Sequence, residues 1–172
     1  MSVAAMPKPP PFALPPCDER IAELYRYWLA IAPGPGVLPG RQHFDPTAVP
    51  RLLRWMWLVE FEREPLRFRY RLVGTEHVTA LGRDATGEWL EQAHPHFTLS
   101  SAYQQFVAAA EFAMPGYYWG RPVYYLRRDW MTIERLILPM ARNGWETDLL
   151  IGLTVMNPTG DAATAGRSPG GR

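Results

Sequence analysis

"FRYRLVGTEHVTALGRDATG", Phe68 to Gly87, reads as a strand, a turn, a helix and a glycine-rich loop. A strand that runs through glycine into a helix cradles a phosphate when its glycines are closely spaced and a lysine precedes Ser or Thr. Backbone amides and the ammonium then converge on the phosphate oxygens. Gly74, Gly82 and Gly87 are widely spaced, and Lys8 is the single lysine among 18 basic residues. A dinucleotide loop would also need a parallel βαβ unit. The stretch therefore reads as framework: Gly74 and Gly82 permit turns, and Asp84 with Thr86 ties the loop down through backbone bonds.

Upstream, "WMWLVEFE" (55–62) and "RFRYRLVG" (67–74) flank a short loop and predict a β-hairpin. The second strand alternates, with Arg67, Arg69 and Arg71 on one face and Phe68, Tyr70 and Leu72 on the other. The first is apolar on both faces until Glu60, which predicts cover on both sides. A helix at 18–31 is the natural outer cover. Its stripe is Ile21, Leu24, Tyr25, Trp28, Leu29 and Ile31, with Asp18 as cap and "PGPG" at 33–36 as stop. Asp45-Pro46 opens a short irregular helix through Arg54.

Downstream, Thr75 caps and Gly82 stops a short helix. After a loop with a turn near Trp89, Leu99, Tyr103, Phe106, Val107 and Ala110 mark a longer helix capped by Ser100 or Ser101. Strands follow at 117–128, 131–140 and 148–156, with Asn143-Gly144 as a hairpin signal between the last two. Two strands, a helical crossover and a three-strand meander predict an α+β domain with an antiparallel sheet.

The 172 residues suit one domain, and an apolar share of 47% with seven Trp, eight Tyr and seven Phe is enough for a packed core. The proline-rich segment 1–16 and the polar segment 157–172 read as disordered tails, leaving a domain at 17–156. A formal net charge of +1 provides no field toward nucleic acid or anionic lipid. Cys17 is the only cysteine, so no internal disulfide forms. The N-terminus lacks the apolar core of a signal peptide, and no stretch is long and apolar enough for a membrane span. We expect a cytoplasmic protein that binds neither nucleic acid nor membrane.

Side chains that carry chemistry are few. His94 and His96 in "HPH" supply two of the three or four ligands a metal site needs, and Cys17 is far along the chain, so no metal site is expected. His43, His94 and His96 read as surface loop residues, while His77 falls on the short helix at 75–82. Ser100 and Ser101 lack the G-x-S-x-G pattern of a nucleophile elbow and sit where a helix cap is wanted. No catalytic residue is expected, and the chain does not read as an enzyme. The ladder Arg67, Arg69, Arg71 is expected to pair across strands with Glu60, Glu62 and Glu134. RNA binding would need rings on that same face, and the rings point the other way.

Taken together, "LPGRQHFDP", "VPRLLRWMWLVE", "FRYRLVGT", "GRDATGEWL" and "ERLILPM" resemble a bacterial family of PAS-like domains over residues 18–156. The resemblance implies a five-stranded antiparallel sheet in the order 2-1-5-4-3, with the intervening helices over one face and an N-terminal helix. Many such domains hold a small molecule between helices and sheet, or dimerise through the N-terminal helix, and some bind haem through one histidine. Carried onto this chain, Tyr70, His77, Trp89, Phe106 and Tyr124 would line a ligand cavity, and the cofactor is left unassigned. Tyr25, Trp28 and Leu29 would form a homodimer interface. With no output module after residue 156, the resemblance implies a stand-alone sensory domain that signals through a partner protein. The alternative is a ligand-free interaction module whose large rings fill the core.

Overall fold

A computed structural model describes residues 12–122 and 131–158. Five strands form one antiparallel sheet: β1 (Met56–Arg63), β2 (Leu66–Val73), β3 (Gly116–Gly120), β4 (Met131–Met140) and β5 (Leu149–Pro158). Their order is β2-β1-β5-β4-β3, as the resemblance implies. Four α-helices accompany it: α1 (Glu19–Ala30), α2 (Thr75–Leu81), α3 (Leu90–Ala93) and α4 (Ser101–Phe112).

Each face of the sheet has its own core. Trp57, Val59, Phe68, Tyr70, Ile137 and Leu150 pack with Leu90 of α3, Phe97 of the 3₁₀ turn Phe97–Leu99 and Phe106 of α4. On the other face Met56, Leu58, Leu136, Leu138 and Ile151 pack with Ile21 and Leu24 of α1. The unbroken apolar run in β1 thus has its physical reason: Trp57 and Val59 serve one core while Met56 and Leu58 serve the other. α1 begins at Asp18, whose carboxylate accepts from the Arg20 backbone amide at 2.9 Å and bonds the Arg20 side chain. Trp28 anchors the helix by donating its indole N–H to the Pro139 carbonyl at 2.9 Å. Residues 12–16, read from composition as part of a tail, include Phe12, which packs edge-on against Tyr25 at 5.7 Å and accepts a hydrogen bond from its hydroxyl.

β1 and β5 meet with Trp57 opposite Gly152. The indole lies across the bare backbone: a Cβ on Gly152 would stand 2.1 Å from the ring. The indole N–H donates to Thr154 at 3.1 Å, and Phe106 stacks on the ring at 5.3 Å between centroids.

Four local expectations are corrected. A bulge between β1 and β2 pairs Leu58 with Leu72 and Val59 with Tyr70, so Arg71 is the extra residue. It turns Leu72 away from Phe68 and Tyr70 and leaves it 44% exposed. The helix expected through Arg54 is instead two 3₁₀ turns, Pro46–Ala48 and Leu53–Trp55. Pro50 between them has no N–H to continue a helix and disfavours a helical Val49. Gly74, not Thr75, is the cap residue of α2; a Cβ there would stand 2.5 Å from the Arg54 carbonyl oxygen. Ser100 occupies the cap position of α4, but its hydroxyl donates to the Phe97 carbonyl, and Leu99 is exposed. The other turns follow the sequence: Asp84 accepts from the Thr86 amide, Gly82 ends α2 at φ 76°, and Asn143-Gly144 closes the β4–β5 hairpin with Gly144 at φ 85°.

Gly152→Ala should lower unfolding stability by about 1–3 kcal/mol, the cost of overpacking a full core. Urea denaturation measures it. Adding Trp57→Leu to Gly152→Ala should recover part of the Gly152→Ala loss; strict additivity of the two changes would show that the ring and the glycine do not interact.

Candidate functional site

The interior between the sheet and α2–α4 is apolar in its middle and polar at its margins. In the middle, Phe68, Phe97 and Phe106 meet edge-to-face at 5.2–6.1 Å, with Trp57 stacked on Phe106. One margin holds Tyr70, whose hydroxyl lies 3.0 Å from His94 Nε2, both groups buried. β2 supplies the tyrosine, and the histidine follows directly on the end of α3. His77, on α2, is 2% exposed. Its Nε2 sits 3.1 Å from the Trp55 carbonyl oxygen, which can only accept, so Nε2 carries the proton. Nδ1 is then a bare acceptor, and among the described residues it has no hydrogen-bond partner.

Burial drives both imidazoles toward neutrality. His77 is lowered from an ordinary 6.5 to about 4, chiefly by desolvation, with the Trp55 carbonyl and Glu76 pulling weakly the other way. His94 is lowered to about 3, again by burial first, then by His77, Arg83 and Arg135. The expectation of surface loop histidines is therefore wrong for His94 and right for His43 and His96, while His77, expected beside a cavity, is buried. His94 turns inward while His96 is exposed, and among the described residues no group of three His, Cys, Asp or Glu is placed to hold a metal ion.

A second polar group was not legible as a site. Arg135 of β4 is fully buried; it donates to Gln105 Oε1 of α4 at 2.7 Å and lies 5.3 Å from the Tyr118 ring centroid. In register it stands between Tyr118 and Thr154. A signal existed in "MTIERLILPM": Arg135 shares one strand face with Ile133 and Ile137, so a cation interrupts an apolar face.

The sequence-derived cavity residues are only partly brought together. Tyr70 and Phe106 share one buried core, and His77 couples electrostatically to His94 beside it. Trp89 does not join them. It bridges to Arg69 across the β2 edge, and its ring lies under the guanidinium groups of Arg67 and Arg69, at 4.0 and 5.1 Å. Tyr124 lies outside the described residues. In the arginine ladder, Arg69 pairs with Glu60 at 2.6 Å as expected, but Arg67 pairs with Glu91 at 2.6 Å instead of Glu62. Glu134 is on the α1 side, where it accepts from the Asp18 amide. Of the interface candidates, Tyr25 stacks on Trp28 at 6.1 Å, both half-buried, and Leu29 is 51% exposed.

A family model described as PAS domain matches residues 18–155. No curated protein and no solved structure matches the chain. Among the described residues, no helix is long and apolar enough to cross a membrane.

The two lowered histidines fix a sign for acid sensitivity. The unfolded chain takes up their protons near pH 6.5 and the folded chain only near 4 and 3. Their effect on stability is absent above pH 6.5 and becomes a loss as the pH falls toward 4, by at most about 1.4 kcal/mol per pH unit for each histidine. Urea midpoints measured from pH 7 to 4 should decline, and His94→Gln should flatten the decline. An unchanged slope in that variant would remove His94 from the account.

Proposed function

Because this chain belongs to the PAS domain family, we propose that it is a cytoplasmic sensory module that binds a small molecule between the sheet and α2–α4 and passes the signal to a protein partner. PAS domains are generally sensory, not catalytic, and no residue here is assigned a catalytic role. The observation that carries the reading is the bare Nδ1 of His77, an acceptor in a buried interior that also holds the Tyr70–His94 pair. A buried acceptor left unmade costs roughly 1–3 kcal/mol, which a ligand donor would offset. An apolar interior with a few convergent polar groups is the usual chemistry of a small-molecule site. The ligand is an uncharged molecule with a flat apolar body and a donor group: the neutral His77 imidazole accepts, and stacked rings receive the body. Ligand occupancy would alter the packing of α2 and α3 on β2, and so the surface a partner reads.

Native mass spectrometry and an absorption spectrum of the purified protein test this. An added small-molecule mass is expected, with occupancy at least about ten-fold lower in Tyr70→Phe, the worth of one buried hydrogen bond. A chain of bare mass, with no small molecule raising its melting temperature, would falsify the reading.

A second reading is favoured by the ring stack of Trp57, Phe106, Phe68 and Phe97, which fills the middle of that interior. Here the domain is a ligand-free interaction module that forms a homodimer through Tyr25, Trp28 and Leu29. Trp28 also holds α1 to the sheet, so the clean probe is exposed Leu29. Light scattering should report a dimer that Leu29→Glu converts to monomer with unchanged melting temperature; a monomer in the parent protein removes this reading.

A further inference from the structure

The opposite face of the sheet carries a groove of about 480 Å³ where the α1-side core runs out beneath the 3₁₀ turns. Its apolar lining includes Phe44, Leu53, Met56, Leu58 and Leu72. Leu53 and Leu72 are 37% and 44% exposed, although Leu58 beneath is 6%. Both exposures trace to features already described. The β1–β2 bulge turns Leu72 onto this face, and the turn Leu53–Trp55 is pressed so close to Gly74 that no side chain fits between them. The groove is therefore a fixed gap between a 3₁₀ turn and the sheet.

Its charge is one-sided. The lining contains Arg41 and Arg54 and no acidic residue. Arg54 is committed to Glu76. Arg41 is exposed; one of its N–H groups donates to the Phe44 carbonyl at 3.1 Å and its guanidinium lies 5.5 Å from the Phe44 ring centroid. Among the described residues it has no carboxylate partner, and a guanidinium has five donors. An apolar trough with one cation free at its lip complements a molecule with a long apolar body and a single anionic end. We propose that this groove binds a free medium-chain carboxylate, its chain along Leu58, Met56 and Leu72 and its carboxylate on Arg41. The volume falls within the range of roughly 300–1,000 Å³ usual for small-molecule sites. This site lies on the other face from the interior proposed above and stands independently of it.

Titration calorimetry on the full chain tests it with decanoate and, as a same-length cation, decyltrimethylammonium. Decanoate should bind with one site per chain, and the cation at least about ten-fold more weakly, because a charge-assisted pair becomes a repulsion. Arg41→Gln should weaken decanoate about ten-fold or more. Leu72→Asp should abolish binding, with circular dichroism unchanged in both variants since both positions are exposed. Tyr70→Phe should leave decanoate binding unaltered, which separates this site from the interior one. No decanoate binding, equal affinity for the two probes, or binding indifferent to both Arg41→Gln and Leu72→Asp would each overturn the proposal.

Discussion

The indole of Trp57 lying over Gly152 is the contact on which the architecture turns. β1 and β5 are central strands, so whatever sets their spacing sets both cores. A side chain on Gly152 would lift the ring; without one, the ring lies flat, reaches Thr154 with its N–H and offers its other face to Phe106. α4 is thereby located against the sheet by a stacked pair. Phe68 and Phe97 then take their edge-on positions around Phe106. Aromatic geometry of this kind adds roughly 0.5–1.5 kcal/mol per pair beyond area burial, but its larger effect is to leave one arrangement available.

The two faces of the sheet are built for different chemistry. The α2–α4 face buries its polar groups completely, and each of them is bonded within the protein or held as a neutral base. The α1 face is apolar where α1 lies on it, apart from the buried Glu134 that accepts from the Asp18 amide at the start of the helix. Members of the PAS family are known here by a fold that permits ligands and partners alike, so the residues must discriminate. What they provide is one bare neutral acceptor, His77 Nδ1, on one side and an exposed cation over an apolar trough on the other.

Most of the fold was readable because its signals are local. Alternation in β2, the apolar run of β1, the Asn143-Gly144 turn and the helical stripe of α1 each follow from periodicity or turn chemistry. The bulge was not readable, since Arg-Tyr-Arg-Leu alternates without interruption and only pairing with β1 forces one residue out of step. That slip also explains why simple alternation puts Leu72 on the wrong face. The depth at which the interior histidines are buried is illegible for a different reason. Burial of His77 depends on α2 packing against the Leu53–Trp55 turn, and that of His94 on Tyr70, 24 residues away; neither relation leaves a mark on neighbouring sequence. The resemblance puts Trp89 in the cavity, whereas two arginines stack on its ring at the sheet edge.

The edge of β2 has a further consequence. The backbone N–H of Tyr70 donates to Glu88 and its carbonyl accepts from Gly87, while its hydroxyl meets His94, six residues beyond Glu88. Main chain, α3 and side chain thus close into a small loop of bonds with Tyr70 at both ends. The buried hydroxyl of Tyr70 and its rim-facing amide and carbonyl belong to one residue, which joins interior and edge.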